Sequence, residues 1–386
     1  MDIDILADKF RQLYGFGEVR TFFSPNRVNL IGEHIDYNGG HVLPCAIQFG
    51  TYGCVRKRSD NKVRLASTNS RLKAEFELDD LQYDNSNQWA NYPKGVIWAL
   101  QKLGYKISGM DILVSGELPY GIGLSSSASL ELLIAMMINN LFNEGSIPKL
   151  ELIKASQEAE NDFVGVKCGI MDQFAVCLGV KNKAILLDCS SLAYKYADVN
   201  LEDYLLVIMN TNKVRELSDS KYNERRAECE EALSILKRYK DIENLCQINR
   251  EEFSVLEKYI DDEKIKNRAK HVILENERVL KAYDTFRKGD AEKAGRLLIE
   301  SHASLRDLYE VTGKELDLIV DLAIDNDKCV GARMIGAGFG GCAIAIVQKD
   351  GINDFVNIVG EKYERIIGYN ADFYISEIGE GTREIV

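Results

Sequence analysis

Proline is scarce and confined. All five prolines, at 25, 44, 93, 119 and 148, lie in the first 148 of 386 residues, so no later helix meets a residue that lacks its N–H and crowds the preceding turn. Histidine is rarer, with four residues, and none clusters with the nine cysteines, among which there is no CxxC pair. Zinc and thioredoxin-like sites are excluded on that spacing. Positive charge is not in excess either: 48 basic residues stand against 60 acidic ones, a net charge of −12. A broad nucleic-acid or anionic-membrane surface would need a basic face. The longest apolar run, LELLIAMMINNLF from Leu130, carries Glu131, Asn139 and Asn140 and is too short and too polar to span a bilayer. The opening MDIDILADKF has neither the basic start nor the apolar core of a secretion signal. The odd number of cysteines is therefore expected as free thiols in a reducing cytoplasm.

What is present is the composition of an ordinary folded enzyme, 46% hydrophobic and 28% charged, at a length that predicts two domains. These are expected at 1–190 and 191–386. The first half reads as short β-rich runs, Phe49 to Arg58, Lys62 to Ser67 and Ile112 to Ser115, followed by a helix after a glycine-serine segment. In that helix Leu130, Leu133, Ile134, Met137, Ile138, Leu141 and Phe142 recur at helical spacing and predict one apolar face. A further helix is predicted from Lys149 to Phe163, with strands at AILLDC and YLLVIMN. From Ser218 to about Lys314 charge dominates, which predicts solvent-edged helices. A strand-like CAIAIVQ then follows a glycine run.

Three stretches carry chemistry. Ser24 to Gly40, SPNRVNLIGEHIDYNGG, places Arg27, Glu33, His34, Asp36, Tyr37 and Asn38 behind an apolar VNLI. It reads either as a polar loop or as a sugar site, since sugar hydroxyls need such carboxylates and amides. Pro119 to Ser129, PYGIGLSSSAS, runs into the predicted helix, and a glycine loop at a helix N-terminus favours phosphate. A serine cap explains one serine but not three beside two glycines. Walker A is absent, so the serines would have to supply hydroxyls for phosphate or magnesium. Arg333 to Gly341, RMIGAGFGG, formally contains GxGxxG but is followed by a strand-like run, whereas a dinucleotide fingerprint opens a helix. It reads as a tight turn between strands or as a loop whose bare backbone approaches a ligand. Neither HRD nor DFG occurs, which excludes a protein kinase of the eukaryotic type. Between these stretches Asp172 sits in the apolar GIMDQFAV, where an ionised carboxylate needs a partner such as Arg27 to offset its desolvation.

In this order the stretches resemble the three motifs of the GHMP small-molecule kinases, and the first resembles the galactokinase signature. NRVNLIGEHIDYNGG, GLSSSAS, CGIMDQF, KYNERR and GAGFGG keep register from about residue 20 to residue 347. The chain departs from the pattern at Asn26, where a glycine usually precedes the arginine, at LPYGIG in place of PLGxG, and at Ala337. The resemblance implies an α+β, two-lobed fold, each lobe a mixed or antiparallel sheet packed against helices, with the active site in the cleft between lobes. It implies transfer of the γ-phosphoryl group of ATP to the anomeric hydroxyl of D-galactose, with Mg²⁺ as cofactor and galactose and ATP as small-molecule partners. A kinase of another galactose-like sugar such as N-acetylgalactosamine would share every motif. A catalytically silent sugar- and ATP-binding regulator is the alternative of another class, and a dinucleotide-dependent oxidoreductase is a more distant one.

Residue by residue, the resemblance implies that Glu33, His34, Ile35, Asp36 and Tyr222 bind the sugar. Asp172 would accept the hydroxyl proton, and Arg27 would stabilise charge on the transferring group. Gly121, Ile122, Gly123, Leu124, Ser125, Ser126 and Ser127 would form the phosphate loop. Ser127 and Glu160 would hold magnesium, and Trp89 would stand by the nucleotide base.

Overall fold

The computed structural model describes residues 2–119, 123–213 and 218–385. The first half of the chain forms α1 (Ile3–Tyr14), β1 (Arg20–Asn29), β2 (His41–Val42), β3 (Pro44–Lys57), β4 (Lys62–Ser67), β5 (Ala74–Glu77), α2 (Asn91–Lys102), β6 (Met110–Gly116), α3 (Ser126–Phe142), α4 (Lys149–Glu158), α5 (Met171–Leu178), β7 (Lys183–Asp188) and β8 (Tyr194–Asp198). The second half forms β9 (Tyr204–Asn210), α6 (Ser218–Leu236), α7 (Arg250–Leu256), α8 (Glu263–Arg287), α9 (Ala291–Ser304), α10 (Lys314–Ile324), β10 (Cys329–Met334), β11 (Cys342–Gln348), α11 (Ile352–Ile367), β12 (Asp372–Ser376) and β13 (Arg383–Ile385).

Three sheets organise these elements. The first is mixed, in the order β13-β1-β3-β6-β4-β5, with β4 and β6 its one parallel pair among the described residues. The second, β10-β11-β9-β12, and the third, β2-β7-β8, are antiparallel. The final strand returns to the first sheet, where Thr21 faces Ile385 and Arg20 forms a bidentate pair with Glu384 at 2.5 Å. The turn at Ser190 and Ser191 joins β7 to β8, which pair as neighbours.

The β runs read from the sequence coincide with β3, β4, β6, β7 and β9, with Arg58 and Cys189 one residue beyond the strand ends, and the helix predicted from Lys149 is α4, extended by a π-turn over Ala159–Val164. Two expectations change. The helix α3 is not one-sided: Glu131, Leu132, Ala135 and Met136 are buried along with the predicted face, because α3 packs on β1 and β3 while α2, α4 and α5 cover its other sides. Its contact with the sheet is close enough that a Cβ at Gly53 of β3 would run into Met137 and Leu133. The charged stretch after Ser218 is not merely solvent-edged. In α8 Arg268, His271 and Glu275 are buried at 1% exposure or less, and His271 and Glu275 bond the Glu33 carbonyl and the Gly32 amide of the loop after β1.

The glycine run joins β10 to β11, two antiparallel neighbours. It is a turn between strands, with left-handed backbone at Gly336, Gly338 and Phe339, and a Rossmann helix start is excluded.

Candidate active site

Two adjoining cavities share Val166. The first, about 340 Å³, is lined by Arg27, Glu33, His34, Asp36, Tyr37, Asp172, Tyr222 and Ala337, among others. The second, about 760 Å³, is lined by Trp89, Tyr83, Tyr92, Asn26, Ser126 and Ser127. The structure thus places Glu33, His34, Asp36 and Tyr222 in one space and Ser126 and Ser127, with Trp89, in the other. Gly121 and Ile122 lie outside the described residues.

Asp172 stands at the start of α5, and Arg27 reaches it from β1 with two parallel bonds, Nε to Oδ1 at 2.7 Å and Nη2 to Oδ2 at 2.9 Å. Such a fork fixes a carboxylate in direction as well as charge. Arg27 is 6% exposed and Asp172 26%, so the carboxylate is the open partner. Ser125 adds a hydroxyl donor to Oδ2. It occupies the N-cap position of α3 in left-handed backbone yet caps nothing with its side chain; the hydroxyl is spent on Asp172 instead. Asn26, where the family pattern has glycine, donates to the carbonyl of Leu124 at 2.9 Å, and Arg27 Nη1 donates to that of Gly123 at 3.2 Å. Strand β1 therefore holds the end of the phosphate loop.

The loop after β1 is held from all sides. Glu33 is 3% exposed, and its carboxylate accepts from Asn29, from the Gly336 amide at 2.7 Å and from Arg333 at 3.4 Å. Burial pushes its pKa up, against the pull of Arg333. His34 has both ring nitrogens engaged, Nδ1 with the Tyr37 hydroxyl at 2.9 Å and Nε2 with the Ala337 carbonyl at 3.2 Å. Burial, together with His271 and the Arg225 charge, brings its pKa down to about 3, so the ring is neutral. Asp36 is the contrast: burial and then the charge of Asp172 push it up to about 6. It lies against Gly169, where a Cβ would collide with its carboxylate. Tyr222, from α6, packs its ring 5.7 Å from that of His34. Ile35 stands apart, fully buried and outside the cavity lining.

Glu160 is 6% exposed and hydrogen-bonded with Ser127, so the two side chains stand side by side. Burial and the nearby Asp172 raise its pKa, so a cation there would relieve both penalties. Among the described residues no three His, Cys, Asp or Glu side chains converge on one point. A magnesium ion would have to take its other ligands from phosphate and water, which suits a cation that keeps several waters.

Sequence reading missed several partners. Gln173 bridges Glu160 at 2.9 Å and the fully buried Glu131 at 3.1 Å. Arg333 sits under the Glu33 loop, and α8 supplies Glu275, which accepts from the Gly32 amide at 3.1 Å. Tyr37, which the first stretch contains, bonds His34 and Tyr309. A glutamate within an apolar helix and a charged stretch with intermittent apolar positions are the signals the sequence offers for Glu131 and α8.

The chain is similar to known proteins over its length. The galactokinase galactose-binding signature matches residues 8–57, the GHMP kinases N terminal domain residues 91–180 and the GHMP kinases C terminal residues 282–365. A galactokinase of Clostridium tetani is 62% identical over 385 residues, covering 100% of this chain and 98% of the relative. A galactokinase of Ligilactobacillus salivarius is 50% identical, covering 99% and 100%. The structure of Lactococcus lactis galactokinase complexed with galactose superposes with a TM-score of 0.96 at 48% identity, covering 99% of this chain and 100% of that one. A mevalonate kinase at 18% identity and a TM-score of 0.66 shares the fold.

Proposed function

The chain belongs to the galactokinase family of GHMP kinases, and on that basis we propose that it transfers the γ-phosphoryl group of ATP to the anomeric hydroxyl of D-galactose, giving galactose 1-phosphate and ADP. The observation that carries the reading is the Arg27–Asp172 fork, which faces a sugar-sized cavity beside the start of α3. Asp172 accepts the hydroxyl proton while Arg27 stabilises charge developing on the phosphoryl group, in a reaction whose barrier is lowered mainly by positioning and electrostatics. Asp36 and Tyr222, with Glu33 and His34, bind the sugar, and Gly123 to Ser127 with Trp89 bind the nucleotide.

Ser127 and Glu160 are the residues that would hold Mg²⁺. When bound, the ion would neutralise phosphate charge. We propose further that the chain works as lobes 1–190 and 191–386, with Arg383–Ile385 crossing back to the first. A cytoplasmic location accords with nine cysteines that are all free, while no described helix is long and apolar enough to cross a membrane.

The test is a panel of galactose, glucose, 2-deoxygalactose and N-acetylgalactosamine with ATP and Mg²⁺, read as kcat/KM. Galactose should lead. Turnover of none of them would leave a silent binder, and N-acetylgalactosamine equal to or ahead of galactose would reassign the substrate.

A further inference from the structure

A carbonyl oxygen can only accept a hydrogen bond, so the contact between His34 Nε2 and the Ala337 carbonyl requires a proton on Nε2. In a neutral ring Nδ1 is then an acceptor, and the Tyr37 hydroxyl 2.9 Å away must donate to it. Tyr37 has no second proton. The Tyr309 hydroxyl, 2.8 Å from that of Tyr37, must therefore donate to Tyr37, and Cys229 Sγ, 3.1 Å from the Tyr309 oxygen, must donate in turn. Every donor direction in the chain follows from one backbone carbonyl.

We propose that this one-way chain, Cys229 to Tyr309 to Tyr37 to His34 to Ala337, locks the His34 tautomer and makes Tyr37 and Tyr309 positioning residues for sugar recognition. Its two ends explain the arrangement. Ala337 belongs to the turn between β10 and β11, whose Gly336 amide also holds Glu33, so the Nε2 proton ties the third glycine loop to the sugar loop. His34 itself is in left-handed backbone, with φ of 64°, a strained state for a non-glycine residue that persists only when its surroundings fix it. The fixing is visible: His271 Nε2 donates to the Glu33 carbonyl at 3.2 Å, and Asn38 donates to that of His34 at 2.9 Å. His271 repeats the logic, since the same rule puts its proton on Nε2 and makes Ser304 the donor to Nδ1 at 2.8 Å.

The chain also sets the wall of the cavity. Tyr37 lines it, and its hydroxyl is taken up within the protein, donating to His34 and accepting from Tyr309, so it acts on the sugar through the imidazole it orients.

The inference rests on the sugar-kinase reading for its functional half and on the ligand-free protein for its structural half, and the experiments separate them. With four histidines in the chain, ¹⁵N NMR of the imidazoles gives few signals, and His34 is identified as the pair lost in His34→Asn. The wild type should show a protonated Nε2 and a bare Nδ1 across neutral pH, without any sugar present; a protonated Nδ1 overturns the proposal. In Tyr37→Phe the Nδ1 signature should shift toward a tautomer mixture, and KM for galactose should rise about tenfold with kcat within about threefold and KM for ATP unchanged. Tyr309→Phe, which keeps the ring and leaves Tyr37 able to donate, should raise KM for galactose less. A galactose KM within twofold of wild type in Tyr37→Phe, or equal losses in kcat and in KM for ATP, overturns the positioning role.

Discussion

Two aspartates of this protein meet arginine in different ways. Asp111, on β6, is completely buried on the α1 face of the first sheet and accepts from Arg56 at 2.7 Å, Arg58 at 3.0 Å and Arg64 at 2.6 Å. Despite its burial these three guanidinium groups hold its pKa below the ordinary value. Asp172 meets one arginine, and about a quarter of its side chain faces the sugar cavity. The chemistry is shared, but the saturation differs. A carboxylate whose lone pairs are filled by arginine can only brace the sheet, whereas one held at its back by a fork and open in front can take a proton. Glu33 and Asp36, in one loop, are both pushed up by burial but differ in their neighbours: Arg333 pulls against the shift at Glu33, whereas the charge of Asp172 adds to it at Asp36.

This comparison is sharpened most by Asp172→Asn, which keeps shape and removes the base. Turnover should fall about 10² to 10⁴-fold while galactose binding by calorimetry persists; near-normal turnover would erase the distinction. Asp111→Ala should do the reverse. Leaving three half-buried arginines without their partner should cost about 3 kcal/mol in denaturant unfolding, with kcat per folded enzyme unchanged, and a catalytic loss without destabilisation would make the two sites equivalent. For the cation, Glu160→Gln should weaken Mn²⁺ binding by about tenfold, measured by electron paramagnetic resonance in the presence of nucleotide, with little change in ligand-free melting temperature. A large fall in that temperature would make Glu160 a packing residue.

The smallest effects concern Asp36. Its pKa, raised from 3.8 to about 6, makes the native state bind its proton more readily than the unfolded chain, so this group's contribution to stability falls as pH rises from 3.8 to about 6 and is flat above. Asp36→Asn should therefore raise the melting temperature of the ligand-free protein at pH 8, by about 2 to 4 °C, at the expense of galactose affinity. In the wild type, galactose affinity should decline below about pH 6 as the acceptor is protonated. In Asp172→Asn that limb should move to lower pH, because the charge of Asp172 is the second cause of the shift; an unmoved limb would remove the electrostatic link between the two acids.

Much of the architecture was written locally. The β-rich runs of β4 and β6, the helical period of α3 and the glycine turn before CAIAIVQ each follow from short-range geometry. The sugar cavity was legible through dense polar motifs, and the need of Asp172 for Arg27 was legible because a charge in an apolar run must be compensated. Glu131, Gln173 and α8 were not, since a polar residue in a helix has no sequence mark that says whether its partner is water or another buried side chain.

Family membership and the inventory of acids, serines and glycines available for phosphoryl transfer are legible along the chain, because they depend on residue identity and spacing. Which of those acids are saturated by donors and which stay open follows from the folded arrangement. Whether Glu33 meets Arg333, Asp111 three arginines or His34 the carbonyl of Ala337 is settled across separations of tens to hundreds of residues, and the protonation of a buried group is set by what surrounds it in space, where burial and neighbouring charge act.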